Sequence, residues 1–196
     1  MGELEPWLLW GTRFALVGLL VLVGVTDLRS RRIPNRPVAV GLAIALLWHA
    51  LAPAGSGLFH RYDAGALGFG ASAMGAGAAF AGFLILHLAR VMGAGDVKLM
   101  AMLGAVFGLG ALPALVLAVF AAGGLLVATR LFDRERRQAV VANLWIILAQ
   151  RVAAVTGASG PRFDAARDTA DRLPFGLAIA AGATLLAVLQ WRGTLA

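Results

Sequence analysis

Residues 97–129, VKLMAMLGAVFGLGALPALVLAVFAAGGLLVAT, form an apolar run whose single charge is Lys98, and Gly93-Ala94-Gly95-Asp96 stands directly before it. A helix needs about 20 apolar residues to cross the hydrocarbon core of a bilayer. The run is too long for one ordinary span, and Gly108, Gly110 and Pro113 offer a break inside it. Two helices, about 97–108 and 113–131, are expected, because they return Arg130, Arg134, Arg136 and Arg137 to the side on which the run began.

The whole chain reads the same way. Of its 196 residues 60% are hydrophobic and 14% charged, and the mean hydropathy is +0.84. No soluble domain of this size needs so much apolar surface, so the fold class is an all-α, polytopic integral membrane protein with the lipid bilayer as its surroundings. The absence of cysteine excludes disulfides, thiolate zinc sites and cysteine nucleophiles. A net charge of +7 would suggest nucleic acid in a soluble protein, but here the arginines sit in short loops between apolar runs. They mark topology instead, and no nucleic-acid partner is expected.

The first span is expected over 7–26, interrupted by Arg13. Glu3 and Glu5 precede it and no small-residue cleavage site follows, so it reads as a retained helix and not as a removable signal peptide. The basic loop from Asp27 to Pro37, with Arg29, Arg31, Arg32 and Arg36, marks the cytoplasmic side. A second span covers 37–51, with Pro37 in its first turn. Pro53, Gly55, Ser56 and Gly57 then turn the chain on the far side. The third span, 64–91, carries Ala71, Gly75 and Ala79 on one face for close helix approach. The last covers 173–191. Between them, Val141, Leu144, Leu148, Val152 and Val155 recur at helical spacing with basic flanks, which fits an interfacial amphipathic helix over 138–155 on the cytoplasmic side. The expectation is one membrane-embedded domain over 1–196, about six spans, with both termini on the non-cytoplasmic side.

Asp27 closes a span that arrives at the cytoplasmic face, and Asp96 opens one that leaves it. Both carboxylates therefore lie at one membrane depth, where ionisable groups are uncommon enough to suggest function. Two aspartates that share a site hold a single proton near neutral pH. One member can deprotonate water while the other protonates a carbonyl or a leaving amine, which is aspartyl peptide hydrolysis without a metal or organic cofactor. Gly93 and Gly95 would let the helix entrance bend and a substrate strand approach. Lys98 has three readings: holding Asp96 ionised, contacting a substrate carbonyl, or anchoring at the interface.

Plainer readings stand beside these. Asp96 can simply cap the next helix, and Asp27 can be an interfacial charge that ends span one. Trp7, Trp10, Trp48, Trp145 and Trp191 fall near span ends as belt anchors. His49, His60 and His87 show no metal-ligand spacing. A proton-coupled transporter would also pair carboxylates, but it needs a continuous polar path, and spans one to three offer little beyond Arg13, Ser72 and the histidines. A membrane scaffold would leave the aspartates dispensable.

Asp27 with Arg31-Arg32-Ile33-Pro34-Asn35, then Gly93-Ala94-Gly95-Asp96-Val97-Lys98, then Leu173-Pro174-Phe175-Gly176-Leu177-Ala178 resembles the type IV prepilin peptidase family of Gly-x-Gly-Asp intramembrane aspartyl proteases. The motifs come in the right order and at the right ends of spans. The resemblance implies a bacterial inner-membrane enzyme that cuts, at the cytoplasmic face, a short basic leader from a pilin-like precursor, after a glycine and before an apolar helix. It implies Asp27 and Asp96 as the catalytic pair, with Pro34, Asn35, Lys98 and the turn Pro174, Phe175 and Gly176 in support. Larger members carry a cytoplasmic insertion with paired Cys-x-x-Cys motifs and also methylate the new N-terminus. This chain has a minimal loop and no cysteine, so it resembles the short, peptidase-only branch serving tight-adherence (Flp-type) pili. A preflagellin peptidase would share the chemistry and differ in substrate. Asp164, Asp168 and Asp171 share one helical face on the side where a basic leader would arrive; a solvated face offset by Arg162, Arg167 and Arg172 is the more economical reading.

Overall fold

The computed structural model describes residues 6–61, 63–89, 92–132, 138, 145 and 174–194. Among these are the helices α1 (Pro6–Ser30), α2 (Asn35–Leu51), α3 (Phe69–Leu88), α4 (Ala94–Leu131) and α5 (Phe175–Trp191). No strand occurs among the described residues. The amphipathic helix expected over 138–155 and the face of Asp164, Asp168 and Asp171 lie outside them. Met1–Gly123 with Pro174–Ala196 form one compact unit and Gly124–Leu173 a second. The helix packing and the candidate site belong to the first.

Many large apolar side chains face outward, while three polar ones are buried among the described residues. Phe14, Val21, Ile44, Leu47, Met74, Ile85 and Leu117 are exposed, while Asp27, His49 and Ser72 are buried. Water would oppose so much outward apolar surface, whereas lipid accepts it. Trp7–Ser30, Phe69–Leu88 and Ala94–Thr129 are long and apolar enough to cross a membrane, and Asn35–Leu51 and Phe175–Trp191 are shorter apolar helices. The charge inside the first of these is accounted for: Arg13 Nε donates to Leu58 O at 3.0 Å, and its guanidinium lies 5.4 Å from the Trp10 ring centroid.

Several boundaries differ from the expected ones. α1 continues past Thr26 to Ser30, with Leu28 and Arg29, both good helix formers, inside the extension, and Thr26 and Ser30 bond back to carbonyls of their own helix. It stops at Arg31, which takes φ 54 while its N–H still reaches Asp27 O at 3.0 Å, a left-handed helix end formed without glycine. α3 begins at Phe69, not at 64. The backbone of 64–66 pairs with the preceding turn instead, through Gly55 N to Ala66 O at 2.8 Å and Ala66 N to Pro53 O at 2.7 Å.

The two helices expected over 97–108 and 113–131 appear as two helical stretches of α4 that meet at a kink, where Gly108 takes φ 76 and ψ 172; Pro113, expected to open the second, lies inside it. Such a break leaves carbonyls of the preceding turn without their regular intrahelical donors, which lipid cannot replace. Two buried side chains supply donors. Ser72 Oγ donates to Ala105 O at 2.8 Å. His49 Nδ1 accepts the Leu67 N–H at 3.1 Å, so the ring proton is on Nε2, which donates to Val106 O at 3.1 Å. His49 and Ser72 are therefore structural polar groups.

The first half of α4 is buried on nearly every side: Leu99, Met100, Met102, Leu103 and Ala105 have no exposed surface. α3 crosses it backbone to backbone, since a Cβ on Gly75 would collide with Gly104 O and one on Gly104 with Gly75 O. The buried stripe of α3 is Ser72, Gly75, Ala79 and Phe83; Ala71, expected on it, is exposed. α5 lies along α1, with Gly24 facing Leu177, and touches α4 where Gly182 meets the Val119 backbone. These contacts bring the last turn of α1 and the first turns of α4 and α5 to one end of the bundle.

Candidate active site at three helix ends

Asp27 lies in the last turn of α1 and is 6% exposed. Its Oδ2 accepts the backbone N–H of Leu177 at 3.2 Å. Leu177 belongs to the first turn of α5, where its N–H is shared with Pro174 O at 3.2 Å and the helix dipole favours a negative charge. The residues before it make this approach possible. Pro174, at φ −72 and ψ 84, precedes the helix, and Phe175 is anchored edge-on to Phe120 with centroids 6.2 Å apart. Gly176 leaves room for the carboxylate: a Cβ there would lie 2.9 Å from Asp27 Oδ2.

Asp96 is half-buried in the first turn of α4. Its Oδ2 accepts the Gly93 N–H at 3.0 Å, so it also caps its own helix from the third helical position, as a capping-box residue does. The plain reading of Asp96 thus holds alongside the sharper one. Ile33 packs against a glycine beside each of the two aspartates. A Cβ on Gly95 would be 3.0 Å from Ile33 Cβ, and one on Gly176 would be 3.0 Å from Ile33 Cδ1.

The other expected residues fall around this arrangement. Pro34, at φ −70 and ψ 125, precedes α2. Asn35 opens α2 and takes a hydrogen bond from Lys98 Nζ to its Oδ1 at 3.2 Å, a partner outside the three sequence readings of Lys98. Gly93 is exposed, with only Asp96 Oδ2 near the place of a side chain, at 3.2 Å. Gly95 faces Ile33, so its missing side chain makes room for this chain's own residue, where a substrate strand was expected. Two contributors escape the sequence reading. Ile33 enters it only inside a motif, and Leu177 acts through its backbone, which no side-chain pattern reveals. The signal for Ile33 is one apolar residue between a run of arginines and a proline.

Two carboxylates at the ends of separate helices, each held by a backbone N–H, one buried and one half-buried, can divide the roles of proton acceptor and donor around a water molecule. A family model described as the type IV leader peptidase family matches residues 14–128, more than half of the chain. The match includes Asp27 and Asp96 and ends before Pro174. No curated protein and no solved structure matches the chain.

Proposed function

Because the chain belongs to the type IV leader peptidase family and is thus a peptidase, we propose that it is an aspartyl endopeptidase in which Asp27 and Asp96 form the catalytic pair. The substrate is a pilin-like precursor, cut after a glycine that joins a short basic leader to an apolar helix. The enzyme lies in a bacterial inner membrane with its site at the cytoplasmic face. Six spans result when α1, α2, α3, the two stretches of α4 on either side of Gly108, and α5 each cross, and methyl transfer is not part of the activity.

The observation that supports this reading most is that Gly95, next to Asp96, and Gly176, against Asp27 Oδ2, both pack on one side chain, Ile33. In the reaction the ionised member of the pair takes a proton from water. The resulting hydroxide adds to the scissile carbonyl, and the protonated member donates to the carbonyl oxygen. Collapse of the tetrahedral intermediate returns a proton to the leaving amine. Leu177 N–H keeps Asp27 oriented throughout.

The test is co-expression of the chain with candidate pilin precursors, with leader removal and the position of the cut read by mass spectrometry. Asp27→Asn and Asp96→Asn, each verified as inserted and folded, are expected to lower cleavage by roughly 10²–10⁴-fold. Unchanged cleavage by either variant would refute the assignment.

A further inference from the structure

Ile33 is held from both sides of its loop. Before it, Arg31 bonds through its N–H to Asp27 O at 3.0 Å. After it, Pro34 has its φ fixed by its ring at −70, and Asn35 is tied to Lys98 of α4 at 3.2 Å. Isoleucine is branched at Cβ and stiff at χ1. Its Cβ faces Gly95, next to Asp96, and its Cδ1 faces Gly176, next to Asp27 Oδ2. One short, inflexible side chain thus touches the first turn of α4 and the first turn of α5, and each helix end presents a glycine to it.

We propose that Ile33 is a positioning residue, a spacer that sets the separation of Asp27 and Asp96. The inference rests on the reading of these two residues as the catalytic pair. Water and a peptide carbonyl must both fit between the carboxylates, and a misplacement of about 1 Å in such a geometry costs about 10²-fold in rate. Ile33 carries no group that takes part in the chemistry. Its effect passes through the two helix ends that it holds apart.

The test uses the full-length protein in proteoliposomes with a purified precursor, and it has two arms. In the kinetic arm, Ile33→Ala is expected to lower kcat about 10²-fold with KM within a few-fold of the parent, while Ile33→Val, which keeps the Cβ branch, recovers most of the rate. The distance arm exploits the lack of any native cysteine. Asp27→Cys with Asp96→Cys gives a single thiol pair, and bifunctional thiol reagents of graded length report the separation. Adding Ile33→Ala should change the reagent length that links the pair fastest, and adding Ile33→Val should not. An unchanged length preference with Ile33→Ala, or a kcat within a few-fold of the parent, overturns the inference. If Asp27→Asn or Asp96→Asn still cleaves, the catalytic reading fails instead, and the distance arm still decides whether Ile33 sets the spacing.

Discussion

Asp27 and Leu177 are joined by a hydrogen bond of 3.2 Å across 150 positions of sequence, from the backbone N–H of Leu177 to Oδ2 of Asp27. The bond ties the end of α1 to the start of α5, and Gly176 is the residue that allows them so close. A methyl group there would meet Asp27 Oδ2 at 2.9 Å, Asp27 Cγ at 3.0 Å and Ile33 Cδ1 at 3.0 Å.

Gly176→Ala is therefore expected to displace the carboxylate and lower cleavage about 10²-fold. Gly18→Ala in α1 has open space around the new methyl and should leave activity unchanged. Rates of leader removal for the two variants, at matched membrane levels, check this.

Ser72 and His49 answer the break at Gly108, so their loss should appear as stability and not as chemistry. Ser72→Ala removes one donor inside the bundle and is expected to cost about 0.6–1.7 kcal/mol. His49→Leu removes a donor and an acceptor together and leaves the Leu67 N–H unpaired, which should cost about 1–3 kcal/mol more than a neutral substitution. Unfolding in detergent gives both values.

Close approach of α3 and α4 depends on Gly75 and Gly104. Gly75→Val or Gly104→Val must push the helices apart, and overpacking of this kind typically costs about 1–3 kcal/mol. Gly77, on the same helix as Gly75, has nothing within 4 Å of the place a methyl would take; Gly77→Ala should be neutral or slightly stabilising. Thermal unfolding of the three variants separates these outcomes.

Lys98 and Asn35 form one exposed pair. Lys98→Met and Asn35→Ala should each reduce cleavage a few-fold, and the double variant should be no worse than the more affected single one, the mark of a shared interaction. Additive losses would mean that Lys98 acts on something other than Asn35.

The parts of this molecule that are legible in the sequence are those carried by apolar length and by charge. Runs such as 97–129 announce membrane helices, and Asp27 and Asp96 stand out because carboxylates are rare at such positions. The extension of α1 to Ser30 is not legible, since the helix ends where Arg31 accepts φ 54 and not where the apolar run stops. Nor is the duty of His49, which follows from the backbone angle of one glycine in another helix. Gly95 signals that a small residue is needed without showing for whom; only the folded chain identifies Ile33 as the neighbour. Of the three candidates for the break, Gly108, Gly110 and Pro113, it is Gly108 that takes it, a residue that adopts positive φ without a Cβ penalty, and Pro113 lies inside the second stretch.

The Leu177–Asp27 bond also bears on the order in which the protein is made. Synthesis proceeds at about 5–20 residues per second, so the 150 positions between the two residues correspond to roughly 10–30 s during which Asp27 has been translated and its donor has not. A nascent chain in the membrane holds both aspartates well before α5 arrives to fix one of them. Cleavage is therefore expected to appear only once α5 has been made.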